Sequence, residues 1–441
     1  MVYYENNVLK KIKSLLPQSF VVSTWFPSGI KTCDAIIYYK RDPIALIEIK
    51  KRLDNTSTKL GFIQMKEAAI FLNIKVLAVC TATQAQVISD KNYPNRKAQK
   101  MLIEHFVSSI LMAYSVEEPI STEIAETLLD NMKQVALNSK IRNKEFLSFL
   151  NSLSRKCVIN NASLTKKGSI LLANDFENDL FRNLIGEFTE DDLCRYTSLH
   201  STIRIVKEQK ASLCGIVCMN DKSECYYADQ YLANTTGERL LINMSGAEIK
   251  EINEYFIMSC SDIRMHDKLT MWRMYAGDAT GTCITYRTNH IIKSNKQFFI
   301  APVCYALENK KHPELDFIKT VLAEPICGYT VRLQNFDLWK HFFKPNDYAD
   351  EHEIRLLYKE TDTQRYKWII AGDEILCPII EFGIKKGKNE FPLTISSIML
   401  GPKCTEKEAN SAQLKHYISL QDIELDKDNI VVSVSNIDNY R

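Results

Sequence analysis

The sequence lacks a charge excess, a long apolar run and a phosphate-binding loop. Its 56 Lys and Arg against 54 Asp and Glu leave a net charge of +2, which gives no overall attraction to a polyanion. No apolar stretch approaches the roughly 20 residues of a membrane span, and the amino terminus has no apolar signal-peptide core. The segment GIKKGKNE lacks the GxxxxGK(S/T) spacing of an ATP-driven motor. We therefore expect a cytoplasmic protein that binds no membrane and has no motor site.

Cysteine is abundant, but its spacing does not predict a metal cluster. The 13 cysteines include no paired CxxC motif, and the closest group, Cys214, Cys218 and Cys225, has no histidine nearby. We interpret the cysteines as reduced thiols. With 441 residues, of which 45% are hydrophobic and 25% charged, the chain is globular and long enough for two or three domains.

The most informative stretch is KTCDAIIYYKRDPIALIEIKKR, residues 31–52, which predicts two strands. Glu48 and Lys50 stand two residues apart on the second strand, so both side chains project from one face. Asp34 comes directly before the first strand, and a hairpin through residues 40–43 returns the chain beside it. We therefore predict that Asp34 and Glu48 converge.

These residue types suit metal-dependent hydrolysis of phosphodiesters. Two neighbouring carboxylates repel each other, and Mg²⁺ or Mn²⁺ relieves that repulsion while accepting phosphate oxygens. Lys50 would position the attacking water or balance developing negative charge. In the alternative interpretation, Asp34 begins a turn, and Glu48 and Lys50 form an exposed ion pair on an edge strand.

This arrangement resembles the PD-(D/E)xK nuclease superfamily, whose motif is an Asp at one strand end and Glu-x-Lys on the next strand. Asp34, Glu48 and Lys50 match the motif, and Cys33 replaces its Pro. The resemblance implies an α/β fold with a restriction-endonuclease-like α-β-β-β-α-β core in residues 1–115. It also implies that Asp34 and Glu48 ligate Mg²⁺ or Mn²⁺ and that Lys50 is catalytic.

Two flanking segments resemble further parts of that superfamily. VYYENNVLKKIKSLL is an amphipathic helical pattern with Glu5 near its start, where the superfamily often places a metal-assisting acid. LGFIQMKEAAIFLNI predicts a helix that carries Gln64, which matches a Gln in the nuclease domain of type I restriction enzyme R subunits. The strand VLAVCTAT then completes the order, if a further strand lies near residues 20–25. Residues 50–52 would contact nucleic acid, and the resemblance favours duplex DNA.

Residues 116–185 are predicted to be a helical segment and connector. STEIAETLLDNMKQVALNS has an apolar helical face, and Ser121 is placed to cap its start. These helices would close the nuclease-like core or form the surface of a homodimer. The pattern weakens from Lys156 to Asn183, so we place the connector there.

Residues 186–441 predict a second, α+β domain with several punctuated motifs, among them MNDKSEC, a strand before MWRMY, and DEHEIR. The residues that carry these motifs are Tyr196, Asn220, Asp221, Glu224, Ser259, Met271, Trp272, Tyr275, Gly281, Glu351, Glu353 and Arg355. The pattern resembles a bacterial domain family of unknown function allied to the Abi-G type abortive phage-resistance proteins. That resemblance implies a phage-defence effector with a phage-derived trigger or an operon-encoded partner.

The same region also matches the order of residues in ADP-ribosyltransferases, which use NAD. In that chemistry Arg195 would hold the dinucleotide phosphates, Ser259 would orient the nicotinamide ribose, and Glu353 of Glu351-x-Glu353 would stabilise an oxocarbenium-like centre. The alternative is structural: Arg195 pairs with an acid, Ser259 caps a helix, and the glutamates form the polar face of a strand. Trp272 and Tyr275 are interpreted as packing residues.

The sequence thus predicts a metal-dependent DNA nuclease whose C-terminal domain senses or regulates. Asp34, Glu48, Lys50 and Gln64 are its candidate catalytic residues, with Glu5 as a further metal ligand. Two alternatives stay open at this stage. One is an ADP-ribosyltransferase-like toxin, and the other is a non-catalytic nucleic-acid-binding scaffold.

Overall fold

The computed structural model describes residues 2–17, 20–24, 33–39, 42–72, 74–89, 98–114, 117–165, 168–219, 226–233, 252–289, 297–371, 375–426 and 431–438. Predictions that fall outside this part of the chain concern Trp25, Lys40, Arg41, Asn220, Asp221, Glu224 and Cys225. Among the helices of the described ranges, none combines the length and the apolar content that crossing a bilayer requires.

Helices and strands are mixed along the whole chain, which confirms the predicted α/β class. The helices are α1 (Val2–Leu15), α2 (Asn55–Phe71), α3 (Ile103–Tyr114), α4 (Thr122–Ser139), α5 (Lys144–Ser152), α6 (Arg155–Asn160), α7 (Asn174–Ile185), α8 (Leu199–Glu208), α9 (Tyr227–Ala233), α10 (Leu269–Tyr275), α11 (Pro313–Ala323), α12 (Phe336–Trp339) and α13 (Lys407–Ser419). The strands are β1 (Phe20–Ser23), β2 (Ala35–Tyr39), β3 (Asp42–Ile49), β4 (Val76–Cys80), β5 (Gln84–Ile88), β6 (Gln99–Leu102), β7 (Glu117–Pro119), β8 (Ala162–Thr165), β9 (Ser169–Leu172), β10 (Asp192–Thr197), β11 (Lys210–Gly215), β12 (Tyr255–Asp262), β13 (Thr282–Thr288), β14 (Phe298–Pro302), β15 (Cys304–Tyr305), β16 (Thr330–Arg332), β17 (Phe343–Lys344), β18 (Glu353–Lys359), β19 (Lys367–Ala371), β20 (Ile375–Lys385), β21 (Lys388–Asn389), β22 (Leu393–Leu400) and β23 (Val431–Val434).

Strands β1 to β6 form one sheet in chain order. β3 and β4 are parallel, whereas the other neighbouring pairs are antiparallel. A parallel pair requires a crossover, and α2 supplies it. Apolar clusters cover both faces of the sheet, so β2 and β4 are buried along their whole length. The first 80 residues therefore have the predicted order of helix, three strands, helix and strand.

A larger sheet dominates the C-terminal part, with the path β19-β20-β11-β12-β10-β13-β22-β23. One edge of β12 is shared by β10 and β11, and its other edge pairs with β18. Side chains alternate between the two faces of β12. Phe256 and Met258 join one apolar cluster, and Tyr255 and Ile257 join another. The two faces of this sheet therefore belong to separate cores.

Residues 117–185 share a core with the C-terminal part. β7, β8 and β9 form a small sheet that β16 joins by pairing in parallel with β9. Ser121 caps α4 as predicted, since its hydroxyl accepts a hydrogen bond of 3.2 Å from the N–H of Ile124. The predicted connector contains β8, β9 and α7, with Ile170 and Phe181 fully buried. The proposed domain boundaries stay a prediction.

Gly281, directly before β13, provides a test of the packing in the C-terminal part. A Cβ atom at Gly281 would lie 2.2 Å from the carbonyl oxygen of Thr197. We expect Gly281→Ala to lower the free energy of unfolding by at least about 3 kcal/mol, because backbone must move to admit the methyl group. Urea denaturation followed by circular dichroism measures the change.

The matched control is Gly387→Ala, where φ is +71° and nothing lies within 4 Å of the added carbon. Gly387→Ala should lower the free energy of unfolding by about 1–2 kcal/mol, because alanine is strained in a left-handed backbone conformation. Equal losses for the two variants would contradict the predicted clash at Gly281.

Candidate functional site

Asp34 is held at the point where β2 and β3 begin to pair. Its backbone N–H donates to the carbonyl of Ile47 at 3.1 Å. Its carboxylate oxygen Oδ2 accepts a hydrogen bond of 2.5 Å from the N–H of Ile49. These two bonds fix Asp34 beside the segment of β3 that carries Glu48, as the sequence predicted.

Glu48 lies in the interior of the first sheet with only 4% of its surface exposed. β3 runs between β2 and β4, and α2 covers the strand, so that a Cβ at Gly61 would lie 3.3 Å from Glu48 Cγ. Burial raises the pKa of Glu48, its hydrogen bond with Lys50 lowers it, and the charge of Asp34 raises it again. The balance is a pKa above the usual value of 4.5.

Lys50 links Glu48 to Gln64. Its Nζ lies 2.6 Å from Glu48 Oε1 and 3.0 Å from Gln64 Oε1. The backbone N–H of Lys50 still donates to Cys80 O at 2.9 Å, so the residue is anchored at the end of the parallel pair. The structure thus brings together Asp34, Glu48, Lys50 and Gln64. Glu48 is buried on a central strand rather than on an exposed edge, and the side chain of Lys50 is 26% exposed.

Glu5 is half-buried in the first turn of α1, and its role as a further metal ligand stays a prediction. Cys33, by contrast, is near both carboxylates. Burial, followed by the charges of Glu48 and Asp34, raises the pKa of the Cys33 thiol to about 12. The thiol is therefore neutral at physiological pH.

The donor set of this site fits a hard divalent cation. Asp34 and Glu48 offer carboxylate oxygens, which Mg²⁺ and Mn²⁺ prefer over nitrogen and sulfur. The two carboxylates interact unfavourably, as the contribution of Asp34 to the pKa of Glu48 shows. A cation beside both would remove that repulsion.

A second polar cluster lies in the C-terminal part and contains four of the residues that carried the family resemblance there, Tyr275, Glu351, Glu353 and Arg355. Lys344 Nζ lies 2.9 Å from Glu351 Oε2 and 3.0 Å from Glu353 Oε2. Arg355 Nε donates to Glu353 Oε1 at 2.8 Å, and Tyr275 donates to Glu351. Lys344, Glu353 and Arg355 are each at most 3% exposed. The sequence interpretation missed Lys344, which stands seven residues before Glu351.

Both carboxylate oxygens of Glu353 contact a buried cation, Lys344 or Arg355. Burial by itself would raise the pKa of Glu353, but the charges of Arg355 and Lys344 outweigh burial and hold that pKa at about 2. Ser259 stands opposite Arg355 on the neighbouring strand, and its hydroxyl oxygen is buried. The carboxylate of Glu353 is therefore part of a closed ion network.

Tyr196 and Trp272 pack in one apolar cluster, in agreement with the packing role predicted for Trp272. Their rings meet edge to face with centroids 4.8 Å apart. The Tyr196 hydroxyl donates to Met265 O at 2.7 Å and accepts from the N–H of Lys268 at 3.1 Å. Trp272 Nε1 donates to Asp267 at 2.8 Å. Both aromatic side chains are thus held by packing and hydrogen bonds.

Arg195 lies on the opposite face of the sheet from Ser259 and Glu353. Cys194 pairs with Ser261, which in turn pairs with Glu353, so these three share a face. Arg195 follows Cys194 by one residue, and strand alternation turns it to the other side. The structure therefore does not assemble the predicted transferase constellation, because the pleat separates Arg195 from the two other residues.

A third group of side chains was not predicted. Among the described residues, Cys304, His312 and Glu314 place one ligand atom each within 4.8 Å of one another, and all three are buried. Arg142, which lies between α4 and α5, donates to Glu314 Oε2 at 2.8 Å and to Cys304 Sγ at 3.1 Å. Cys304, eight residues before the His-x-Glu spacing at the start of α11, was the available sequence signal, whereas Arg142 lies 172 positions before Glu314.

Comparison with known proteins gives one family match. A family described as a protein of unknown function (DUF2971) matches residues 271–356, which include Tyr275, Lys344, Glu353 and Arg355. The match confirms that part of the C-terminal region is similar to a family of unknown function, and it does not extend to the first sheet. No curated protein and no solved structure matches the chain.

Gly61→Ala tests how closely α2 must approach Glu48. The added Cβ would lie 2.8 Å from Val79 Cγ2, so we expect α2 to move and the protein to lose about 1–3 kcal/mol of stability. Alanine's better helix propensity, about 1 kcal/mol, opposes this loss. Thermal denaturation measures the net effect, with the exposed Lys66→Ala as control, expected to stay within about 0.5 kcal/mol. A stabilised Gly61→Ala protein would show that the helix does not depend on this contact.

Glu353→Gln tests the closed ion network. The substitution removes the negative charge that Arg355 and Lys344 contact in the interior. We therefore expect the free energy of unfolding at neutral pH to fall by about 3–5 kcal/mol. Because the folded pKa of Glu353 is lowered, wild-type stability from this residue is present above pH 4.5 and is lost as pH falls toward about 2. Denaturation at a series of pH values should show this loss in wild type and not in the variant.

Glu126→Gln is the control for that experiment. Glu126 pairs with Arg155 at 2.5 Å, but both side chains are exposed, at 39% and 67%. Its removal should change stability by at most about 1 kcal/mol. If both glutamine variants behaved alike, the network around Glu353 would have no special role.

Proposed function

We propose that the N-terminal part of this protein is a metal-dependent nuclease that hydrolyses phosphodiester bonds, with DNA as the favoured substrate. The observation that carries the proposal is the contact of Lys50 Nζ with both Glu48 and Gln64, while Asp34 lies beside Glu48. A buried carboxylate and a lysine in contact at a strand end suit chemistry on an anionic substrate better than they suit a fold core.

Asp34 and Glu48 would hold Mg²⁺ or Mn²⁺. When bound, the cation would supply Lewis-acid polarisation of the scissile phosphodiester. Asp34 donates its backbone N–H to the carbonyl of Ile47 and accepts the N–H of Ile49 at its carboxylate, and these two bonds keep the carboxylate beside Glu48. Both residues must be ionised for this role, and the raised pKa of Glu48 favours activity at neutral pH over acid pH.

Lys50 would stabilise negative charge on the phosphate and orient the attacking water. Gln64 accepts a hydrogen bond from Lys50 and so restricts where its ammonium group can lie. Lysine Nζ can donate three hydrogen bonds, so its contacts with Glu48 and Gln64 leave one for substrate. Gln64 is thus assigned a positioning role.

Exposed basic side chains lie on the elements that carry this site. Lys51 and Arg52 follow β3, and Lys59 and Lys66 lie on α2, all four exposed. Such a surface attracts the phosphate backbone without reading sequence. The choice of DNA over RNA rests on the resemblance to the type I restriction R subunits.

The biological role that we propose is that of a phage-defence effector, with the C-terminal part sensing a trigger or a partner. Its support is the resemblance of the C-terminal motifs to the Abi-G type proteins. The buried contacts of Glu353, Lys344 and Arg355 agree with a structural role for that network. Arg195 lies on the other face of the sheet from Ser259 and Glu353, so the positions of these residues do not support the transferase alternative.

Cleavage of plasmid DNA and of RNA by the full-length protein tests the nuclease. We expect cutting with Mg²⁺ or Mn²⁺ and none with EDTA. Lys50→Ala should lower the rate by at least about 100-fold, because a group that stabilises developing charge is lost. Metal-dependent thermal stabilisation should persist in Lys50→Ala and disappear in Glu48→Gln, since only the latter removes a ligand.

Lys75→Ala is the matched control. Lys75 is exposed and precedes β4, at the opposite end of the strand from the residues that pair with Glu48 and Ile49. It should cut like wild type. Undiminished cutting by Glu48→Gln would refute the assignment of the site, and wild type with neither cutting nor metal-dependent stabilisation would favour a non-catalytic nucleic-acid-binding scaffold.

A further inference from the structure

Cys304, His312 and Glu314 present three different donor atoms in a fully buried position. They are 8%, 0% and 1% exposed, respectively. Cys304 lies in β15, and the chain turns back through a hydrogen bond of 2.7 Å from Leu307 N–H to Lys311 O. That turn brings His312 and Glu314, at the start of α11, back to the cysteine. A thiol sulfur, an imidazole nitrogen and a carboxylate oxygen therefore meet away from water.

The hydrogen bonds of His312 make one ring nitrogen a donor. Nε2 lies 3.1 Å from the carbonyl oxygen of Cys304, which can only accept, so Nε2 must carry the proton. In a neutral ring Nδ1 then carries a lone pair, and this lone pair faces Glu314 Oε2 at 3.1 Å. Two acceptors at that distance repel unless a proton or a cation lies between them.

Arg142 already provides positive charge to the same atoms. Its terminal nitrogen lies 2.8 Å from Glu314 Oε2 and 3.1 Å from Cys304 Sγ. A metal ion in the place of that nitrogen would contact the same two atoms, with His312 Nδ1 as the third donor.

We propose that Cys304, His312 and Glu314 form a binding site for Zn²⁺ or a similar thiophilic divalent ion, separate from the nuclease site. Sulfur and imidazole nitrogen favour Zn²⁺ over Mg²⁺, which prefers oxygen ligands. The Nε2 contact with a backbone carbonyl is the second contact that metal-binding histidines commonly make.

Arg142 can stay in contact with the site while its terminal nitrogen leaves. Its Nε and its backbone N–H both approach Glu314 Oε1, at 3.0 Å and 3.3 Å, so they hold the oxygen that faces away from His312. The side chain of Arg142 is 38% exposed, which gives the terminal nitrogen a route to solvent. Zn²⁺ would replace that nitrogen between Oε2, Sγ and Nδ1.

Only a modest contraction is needed for coordination. Donor atoms around tetrahedral Zn²⁺ lie about 3.3–3.8 Å apart, given bonds of about 2.0–2.3 Å. The three donors here lie within 4.8 Å of one another, and the His312–Glu314 pair is at 3.1 Å. Cys304 must lose its proton on binding, because burial and the charge of Glu314 raise its pKa well above the usual value. Binding should therefore release a proton to the solvent.

Cobalt spectroscopy on the full-length protein tests the proposal. The protein carries Asp34→Asn and Glu48→Gln, so that the nuclease site does not contribute, and Co²⁺ is added to chelator-treated samples. We expect one Co²⁺ per chain with a sulfur-to-cobalt charge-transfer band. Cys304→Ser should abolish that band and weaken Zn²⁺ binding by more than about tenfold, as loss of a ligand exceeds loss of an outer contact.

Cys327→Ser is the matched control, because Cys327 is an exposed thiol in the same part of the chain, and it should leave the band intact. Arg142→Gln should strengthen Zn²⁺ binding, since it removes the competing cation. Absence of the band in the Cys304-containing protein, or an equal band in Cys304→Ser, would overturn the proposal. This outcome is independent of DNA cleavage, which concerns the other site.

Discussion

Three of the buried carboxylates in the described part of the chain each have a cation within hydrogen-bonding distance. Glu48 has Lys50, Glu353 has Arg355 and Lys344, and Glu314 has Arg142. An isolated carboxylate would be too costly in an apolar interior, so these pairings decide which side chains can approach one another. The three groups differ in how completely the charge is balanced. A carboxylate whose charge is fully balanced by protein cations has a structural role, as we infer for Glu353. The proposals for Glu48 and Glu314 are that a metal ion joins or replaces the protein cation.

Glu353 and Glu48 mark the two ends of this range. Two cations surround Glu353 and lower its pKa, so its charge is stable and has no need of a ligand. Glu48 has one lysine and a neighbouring carboxylate, and its pKa is raised. An additional cation would therefore relieve Glu48 but would gain little at Glu353. This comparison supports the proposal of a metal site at Glu48 rather than at the glutamates of the C-terminal motif.

Much of the N-terminal part could be predicted because its signals are local. The Glu48-x-Lys50 spacing requires one face of a strand, and Gln64 lies on a helix of 17 residues. In the following segment, Ser121 precedes the helix that it caps. The region around β8 and β9 was harder. These strands have four residues each, and β9 pairs with β16, whose sequence lies about 160 residues further on. A pairing so distant leaves no mark in a short window of sequence.

Sequence periodicity by itself determined that Glu48 and Lys50 share a face, because alternation along a strand is a property of the backbone. It also determined that Arg195 and Tyr196 point to opposite faces, although which face holds Ser259 required the register of β10 on β12. Only the tertiary structure decided that Arg142 meets Cys304, His312 and Glu314. Those contacts join residues up to 172 positions apart, and packing rather than local preference brings them together.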